Sequence, residues 1–118
     1  MKSDVTWLLV GTGDIVRKRV GAALAAASGS RLLGVCGGEG RAESVAKSFG
    51  ATEVFHCVDE ALANTRANAV YIATAVDRHV PEAVASLRAG KHVLVEKPLS
   101  IDARSTEQVV IAADAAKR

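Results

Sequence analysis

The sequence predicts an α/β fold built on a doubly wound parallel sheet. Two observations lead to this prediction. Runs of strand-forming apolar residues alternate five times with segments whose apolar residues recur at helical spacing. The runs are continuous rather than alternately polar, which is typical of parallel strands buried on both faces. Repeated strand–helix units of this kind form one domain, which we expect to cover residues 1–118.

The predicted strands and helices follow each other in regular order. The strands are VTWLLVG (5–11), LLGVC (32–36), TEVF (52–55), AVYIAT (69–74) and HVLVE (92–96). The apolar stripes of the helices are Val16, Val20, Ala23, Leu24 and Ala27; Ala42, Val45, Ala46 and Phe49; Val58, Ala61 and Leu62; Val80, Ala83, Val84 and Leu87; and Val109, Ala112, Ala113 and Ala116. Gly50 and Gly90 mark helix ends, and Asp77 and Ser100 are expected N-caps.

Composition argues against several classes of protein. Hydrophobic residues make up 49% of the chain and charged residues 24%, which is typical of a globular domain. The net charge is only +2 and no basic run exceeds Arg17–Arg19, so nucleic-acid binding has little support. No apolar run approaches the ~20 residues that cross a bilayer. We see no secretory signal either, and we expect a cytoplasmic protein without a membrane partner.

The two cysteines do not indicate a metal site. Cys36 and Cys57 lack the short spacing of zinc ligands, and His56 beside Cys57 brings the number of adjacent ligands only to two. We therefore expect both to be packed, reduced thiols.

A glycine-rich turn follows the first strand. Gly11 permits a tight turn, and Gly13 lets the backbone approach a pyrophosphate held by the amides of the next helix. Its position between a strand and a helix favours a dinucleotide site over a turn shaped for packing alone. A methyltransferase loop for S-adenosylmethionine is an alternative, but Asp14 replaces its usual glycine and no acid precedes Glu39 at the second strand. The P-loop pattern is absent from the sequence.

The end of the second strand bears on the choice of cofactor. NAD-preferring sites place Asp or Glu there to bind the ribose hydroxyls. Here Gly37 and Gly38 leave a 2′-phosphate without repulsion, and Arg41 can bind it. Glu39 argues in the other direction. The residues therefore favour NADP, with NAD as the alternative.

The ends of the fourth and fifth strands carry the remaining candidates. Thr74 and Ala75 are small enough to leave room for a nicotinamide ribose, and His79 follows in the next helix. A lone histidine of this kind is more often structural than functional. Glu96–Pro98 end the fifth strand with an acid, a base and a proline, at the edge where ligands bind in such sheets. A lysine held there is a candidate proton carrier.

Together these segments resemble the N-terminal domain of the glucose-fructose oxidoreductase / inositol dehydrogenase / MocA family. The resemblance runs from Val5 to Arg118 and rests on VGTGDIVRKRV, GRAESVAKSFGA, AVYIATAVDRHVPEAVASLRAGKHVLVEKPLS and the closing alanine-rich helix. Glu-Lys-Pro after the fifth strand is the family's signature. The resemblance implies a Rossmann dinucleotide-binding fold. It also implies an NAD(P)-dependent oxidoreductase that acts on a sugar, a polyol or a similar hydroxyl-bearing molecule.

The resemblance further implies a role for each candidate residue. Gly11, Thr12, Gly13, Asp14 and Ile15 would surround the pyrophosphate, Gly37, Gly38 and Arg41 the adenosine ribose, and Thr74, Ala75 and His79 the nicotinamide side. Lys97 would be the catalytic residue, in contact with the nicotinamide and the substrate hydroxyl, and Glu96 would orient the nicotinamide ribose. Pro98, often cis in the family, would fix the direction of the lysine.

The sequence departs from the family in three respects. Val16 replaces a small residue, Ala75 replaces a proline, and the family's sixth strand and substrate domain have no counterpart here. We therefore expect the chain alone to be inactive and to meet its substrate through a missing second domain. An open sheet edge would also permit homo-oligomers. The competing hypothesis is a stand-alone, non-catalytic nucleotide-binding or interaction module.

Overall fold

The computed structural model describes residues 4–118, and these residues contain one five-stranded parallel sheet. Its strands are β1 (Val5–Val10), β2 (Ser30–Cys36), β3 (Glu53–Phe55), β4 (Ala69–Ile72) and β5 (His92–Val95). They lie in the order β3-β2-β1-β4-β5, and every neighbouring pair is parallel. The chain winds outward from β1 to β3 and then resumes on the other side of β1. The predicted doubly wound α/β class is confirmed, and the winding reverses between β1 and β4.

Helices join the strands and cover the sheet. A π-helical turn (Val16–Val20) continues as α1 (Gly21–Ala26), followed by α2 (Arg41–Phe49), α3 (Val58–Asn64), α4 (Val76–Arg88) and α5 (Ala103–Ala116). Core residues of α1 and α2 belong to one face of the sheet, those of α3 and α4 to the other, and α5 packs beside α4. Within residues 4–118, no helix combines the length and the apolar character needed to cross a membrane.

The core forms two layers, one on each face of the sheet. Leu9 belongs to the cluster that contains Leu24 of α1, whereas its neighbour Leu8 belongs to the cluster that contains Ala83 of α4. Successive residues of a strand point to opposite faces, so a strand in the middle of this sheet needs apolar residues throughout. This explains the continuous apolar run of β1.

The first helix departs from its predicted stripe. Val16, Val20 and Leu24 are buried as predicted, whereas Ala23 and Ala27 are exposed. The amide of Gly21 donates to the carbonyl of Val16, five residues back, and this wider turn rotates the residues that follow. Gly21 therefore faces α2, where an added Cβ would lie 2.3 Å from Cε2 of Phe49.

The prediction of burial on both faces is wrong for β5. Val93 and Val95 pack against the core cluster on the α3–α4 side, whereas His92 and Leu94 are exposed. The reason is position, since β5 lies at the edge of the sheet. Among the residues that the structure describes, its second face stays open.

Both predicted N-caps are also wrong. The cap of α5 is Asp102, whose carboxylate accepts a hydrogen bond from the Ser105 amide at 2.7 Å. Ser100 lies before the cap, and its hydroxyl contacts Thr106 instead. Asp77 lies inside the first turn of α4, where a negative charge is still favoured by the positive end of the helix.

Candidate functional site

A cleft of about 970 Å³ opens at the carboxyl edge of the sheet, where the winding reverses. Its walls come from the segments that follow β1, β2, β3 and β4 and from one side of α4. Of the candidate residues, the cleft is lined by Gly11, Thr12, Gly13, Gly37, Gly38, Arg41, Thr74 and Ala75. Asp14, Ile15, His79, Glu96 and Lys97 lie outside this lining.

The two glycines after β1 have different roles in the structure. Gly11 has φ +117°, and an added Cβ would lie 2.4 Å from the carbonyl oxygen of Ala73. Gly11 is therefore required where the ends of β1 and β4 approach each other. Gly13 is exposed, and an added Cβ there would meet no atom within 4 Å. The free space beside Gly13 is what a pyrophosphate needs in order to reach the backbone.

The start of the first helix is open to solvent. Asp14 and Ile15 are both exposed, and the Ile15 side chain is one of the large apolar groups left uncovered. Asp14 accepts a hydrogen bond from the Arg17 guanidinium at 2.8 Å. Any contact that these two residues make with a ligand would come from their backbone or from this exposed surface.

The wall after β2 is also shaped by a glycine. At Gly37, an added Cβ would lie 2.5 Å from Cγ2 of Thr12, so the β1 and β2 segments touch there. Arg41 lines the cleft with its side chain exposed, whereas Glu39 is exposed but lies outside the lining. The cation rather than the acid thus faces the cleft.

His56, which follows β3, lines the same part of the cleft. Its Nδ1 lies 2.8 Å from the Gly37 carbonyl oxygen, and its Nε2 lies 3.1 Å from a carboxylate oxygen of Glu43. The Gly37 carbonyl, followed by the Glu43 and Glu39 charges, raises the pKa of His56. In the sequence, His56 stands out only as a possible metal ligand beside Cys57. Its partner Glu43 is 13 residues away, so no local pattern indicates the pair.

The wall formed by α4 contains a buried carboxylate that the sequence did not indicate. Glu82 accepts a hydrogen bond from the Thr74 hydroxyl, and its other oxygen lies 3.2 Å from the Arg78 guanidinium. That second contact is an ion pair without hydrogen-bond geometry. Burial, followed by the Glu82 charge, raises the pKa of the Cys36 thiol to about 11. The spacing of Arg78 and Glu82 on one helix face is the one available sequence signal.

His79 connects the segments that follow β4 and β5. Its side chain is buried, with Nδ1 2.8 Å from the carbonyl oxygen of Pro98 and Nε2 2.9 Å from that of Thr74. Both ring nitrogens are therefore occupied by the protein. The Lys97–Pro98 peptide bond is cis, as the resemblance implies.

The end of β5 holds Glu96 and leaves Lys97 exposed. The Glu96 amide donates to the Ile72 carbonyl at 2.8 Å, and the Tyr71 hydroxyl donates to the Glu96 carboxylate at 2.7 Å. Burial, followed by this hydrogen bond and the Glu96 charge, raises the pKa of Tyr71 to about 12. Among residues 4–118, the Lys97 ammonium has neither an ion-pair nor a hydrogen-bond partner.

The two cysteines differ in their surroundings. Cys36 is buried, as expected, whereas Cys57 is exposed at the cleft, so the expectation of a packed thiol is wrong there. Both are free thiols. In the described part of the chain, no three residues of the types His, Cys, Asp and Glu are grouped to hold a metal ion.

A doubly wound sheet with a glycine-lined cleft at its switch point defines the class of nucleotide-binding α/β domains. Within that class, the family model described as the oxidoreductase family with an NAD-binding Rossmann fold matches residues 5–118. The chain therefore belongs to the glucose-fructose oxidoreductase / inositol dehydrogenase / MocA family, which confirms the resemblance.

Individual relatives are oxidoreductases. The 1,5-anhydro-D-fructose reductase of Ensifer adhaerens is 32% identical over 107 residues, which cover 91% of this chain and 32% of that protein. The crystal structure of KijD10, a 3-ketoreductase from Actinomadura kijaniata, in complex with NADP and TDP-benzene, matches with a TM-score of 0.90 and 28% identity over 97% of this chain and 35% of that one.

The scyllo-inositol dehydrogenase of Lactobacillus casei, with bound NAD(H) and scyllo-inositol, has a TM-score of 0.88 over 98% of this chain and 34% of that one. At 23% identity, this likeness shows the fold alone. The chain spans about a third of the length of these relatives. Nicotinamide-dinucleotide binding is a property of the family to which the chain belongs, and membership does not favour the non-catalytic alternative.

Proposed function

We propose that this domain binds NADP(H) along the cleft for an oxidoreductase that transfers hydride between the nicotinamide and a hydroxyl-bearing sugar, polyol or similar small molecule. The observation that carries the proposal is the free space beside Gly13, in a cleft at the switch point of the sheet. The position of Arg41 in the lining, with Glu39 outside it, supports NADP over NAD.

The residues present fit such a cofactor. Gly11–Ile15 would hold the pyrophosphate through their backbone, and Gly37, Gly38 and Arg41 would hold the adenosine ribose with its 2′-phosphate. Thr74 and Ala75 would lie beside the nicotinamide ribose. The bound cofactor supplies the hydride chemistry, while the protein supplies binding and orientation.

We propose that Lys97 is the group that exchanges a proton with the substrate hydroxyl. Both neighbours of this residue are held, since Glu96 accepts from Tyr71 and the Pro98 carbonyl contacts His79, whereas the ammonium itself is exposed. A lysine held on a fixed backbone can accept the proton of a bound hydroxyl as the neutral amine, and as the ammonium it can return that proton when hydride transfer runs in the other direction. His79 would act on the nicotinamide side through the Thr74 carbonyl that it contacts, as a positioning residue.

Calorimetric titration of the chain with NADPH tests the binding proposal. We expect a dissociation constant between about 1 μM and about 1 mM, the usual range for enzyme substrates. Gly13→Val should abolish binding because the branched side chain fills the space beside the backbone, while the fold stays intact because that space is empty. Ala22→Val, an exposed change in α1, is the control and should bind normally. No binding by the unmodified chain at about 1 mM NADPH would refute the proposal.

A further inference from the structure

The Glu43–His56 pair lies at the β2–α2 end of the cleft and has no role in the assignments above. His56 and Gly37 line the same cleft as Arg41, which we assign to the cofactor 2′-phosphate. Glu43 is fixed by both carboxylate oxygens, since Oε1 accepts from the Gly40 amide at 2.9 Å and Oε2 lies 3.1 Å from His56 Nε2. This carboxylate therefore stays near the wall that the 2′-phosphate would approach.

The contacts of His56 depend on its protonation. Its two ring nitrogens face the Gly37 carbonyl and the Glu43 carboxylate, and both of these groups are acceptors. A neutral imidazole has one N–H, whereas the imidazolium has two. Both contacts are thus satisfied only by the charged ring. In that form, His56 offsets the negative charge of Glu43.

The other groups around His56 are mostly acidic. Glu39 comes from the segment before α2, Arg41 and Glu43 from α2, Cys57 from the segment that follows β3, and Asp59 from α3. Arg41 is the one permanent cation of this set. Loss of the His56 proton would leave Arg41 as the single positive charge of this set, opposite the carboxylates of Glu39, Glu43 and Asp59.

We propose that the Glu43–His56 pair determines cofactor specificity by making recognition of the 2′-phosphate depend on a proton. With His56 protonated, Glu43 is neutralised and NADP(H) is admitted. Without that proton, the uncompensated carboxylate repels the 2′-phosphate, whereas the uncharged 2′-hydroxyl of NAD(H) is unaffected. The inference rests on the proposed function, because it concerns the same cleft.

The direction of the pH effect follows from the environment of His56. Its pKa is raised, so the imidazolium persists above the ordinary value for histidine, and NADPH affinity falls as the pH rises through the raised pKa. When the pH is lowered below about 6, the 2′-phosphate itself takes up a proton. NADPH affinity should therefore also decrease on this acidic side, irrespective of His56. The informative quantity is therefore the ratio of NADPH to NADH affinity above that pH.

Calorimetry on the full chain measures this ratio. Between about pH 6.5 and about pH 8.5, it should fall about two- to fivefold, the range that exposed charge pairs support. His56→Gln should lower the ratio at the acidic end and remove its pH dependence. Glu43→Gln should raise the ratio and move its fall to lower pH, because His56 still titrates but has lost the Glu43 charge that raises its pKa, while the new amide oxygen can still accept from the Gly40 amide.

The double variant separates an electrostatic role from a structural one. In the His56→Gln background, Glu43→Gln should restore the ratio of the unmodified chain at low pH, because no carboxylate remains to be offset. His92→Gln, an exposed change on β5, is the control and should keep the pH dependence. A ratio that is constant with pH, or a double variant as weak as His56→Gln alone, would overturn this inference while leaving the proposed function intact. Failure of the unmodified chain to bind either cofactor would overturn both.

Discussion

The two sides of the cleft are built by different means. The β1–β2 side depends on the absence of side chains at two glycines. An added Cβ at Gly11 would lie 2.4 Å from a backbone atom, and one at Gly37 would lie 2.5 Å from Thr12. On the β4–β5 side, polar side-chain contacts hold the structure: the Tyr71 hydroxyl donates to Glu96, and the two ring nitrogens of His79 lie within hydrogen-bond distance of the Thr74 and Pro98 carbonyl oxygens. The first side is thus sensitive to added volume and the second to the loss of a polar partner.

This structural difference corresponds to a difference in expected function, with cofactor binding on the β1–β2 side and proton and hydride transfer on the β4–β5 side. A pyrophosphate is bound by backbone amides, and these can be approached only where side chains are absent. Proton and hydride transfer need titratable groups held in fixed positions, and such groups are held by hydrogen bonds to their neighbours. We therefore expect changes on the β1–β2 side to affect binding and changes on the β4–β5 side to affect turnover.

The largest effect should come from Lys97→Ala in an intact enzyme that carries this domain. Turnover should fall by about 10²–10⁴, the usual contribution of a positioned acid–base group, while cofactor affinity changes little. Steady-state kinetics together with cofactor titration would test this. Lys47→Ala, on the exposed side of α2, is the control. Unchanged turnover, or an equal loss in the control, would contradict the proposal that the β1–β2 side serves binding and the β4–β5 side serves turnover.

The second effect concerns stability on the glycine side. Gly11→Ala should lower the free energy of unfolding by about 3 kcal/mol, because the new methyl group meets the Ala73 carbonyl and φ lies in the region that favours glycine. Gly13→Ala should change it by less than about 0.5 kcal/mol, since its surroundings are empty. Urea denaturation of both variants would measure the contrast. Equal losses would mean that the two glycines do not have the separate roles described above.

On the polar side, His79→Ala should lower the free energy of unfolding by about 1–3 kcal/mol, because it removes a buried imidazole whose ring nitrogens contact the Thr74 and Pro98 carbonyls and leaves the carbonyl that accepts its N–H unsatisfied. His92→Ala, at an exposed position of β5, should stay within about 0.5 kcal/mol of the unmodified chain. The same denaturation experiment applies. If the two variants were equally stable, the buried histidine would not hold the β4 and β5 ends together.

The smallest effect should be that of Arg41→Ala on cofactor binding. NADP affinity should fall about tenfold through loss of a charge-assisted contact, and NAD affinity should stay nearly constant. Arg31→Ala, also an exposed arginine but located in β2, is the matched control. Clear preference of the unmodified chain for NAD would contradict the assignment and indicate Glu39 as the ribose ligand.

The two sides also differ in how far the sequence predicts them. Gly11 and Gly13 are visible because their spacing from the preceding strand is local. The contacts of His79 with Pro98 and of Tyr71 with Glu96 join residues 19 and 25 positions apart, and they depend on the register of β4 against β5. No periodicity gives that register, so these contacts could not be predicted.

Two further features were not predicted because they too depend on how distant elements pack against each other. The exposure of Leu94 depends on what covers the edge of the sheet rather than on the apolar character of β5. The pairing of Glu43 with His56 depends on the start of α2 and the end of β3 meeting at the same part of the cleft. In contrast, the family signature at Glu96–Pro98 could be recognised because it is contiguous in sequence.

The hydrogen bond from Tyr71 to Glu96 gives the chain an internal optical probe. Tyr71 and Trp7 are its single tyrosine and single tryptophan, and their ring centroids lie 6.0 Å apart in an edge-to-face arrangement. Excitation can pass from the phenol to the indole over such a distance, so the emission spectrum reports on the β1–β4 contact. Between pH 10.0 and about pH 12, the folded chain retains a phenol proton that the unfolded chain has lost. Stability therefore falls with rising pH in this window, and the absorbance of one residue follows the change without any label.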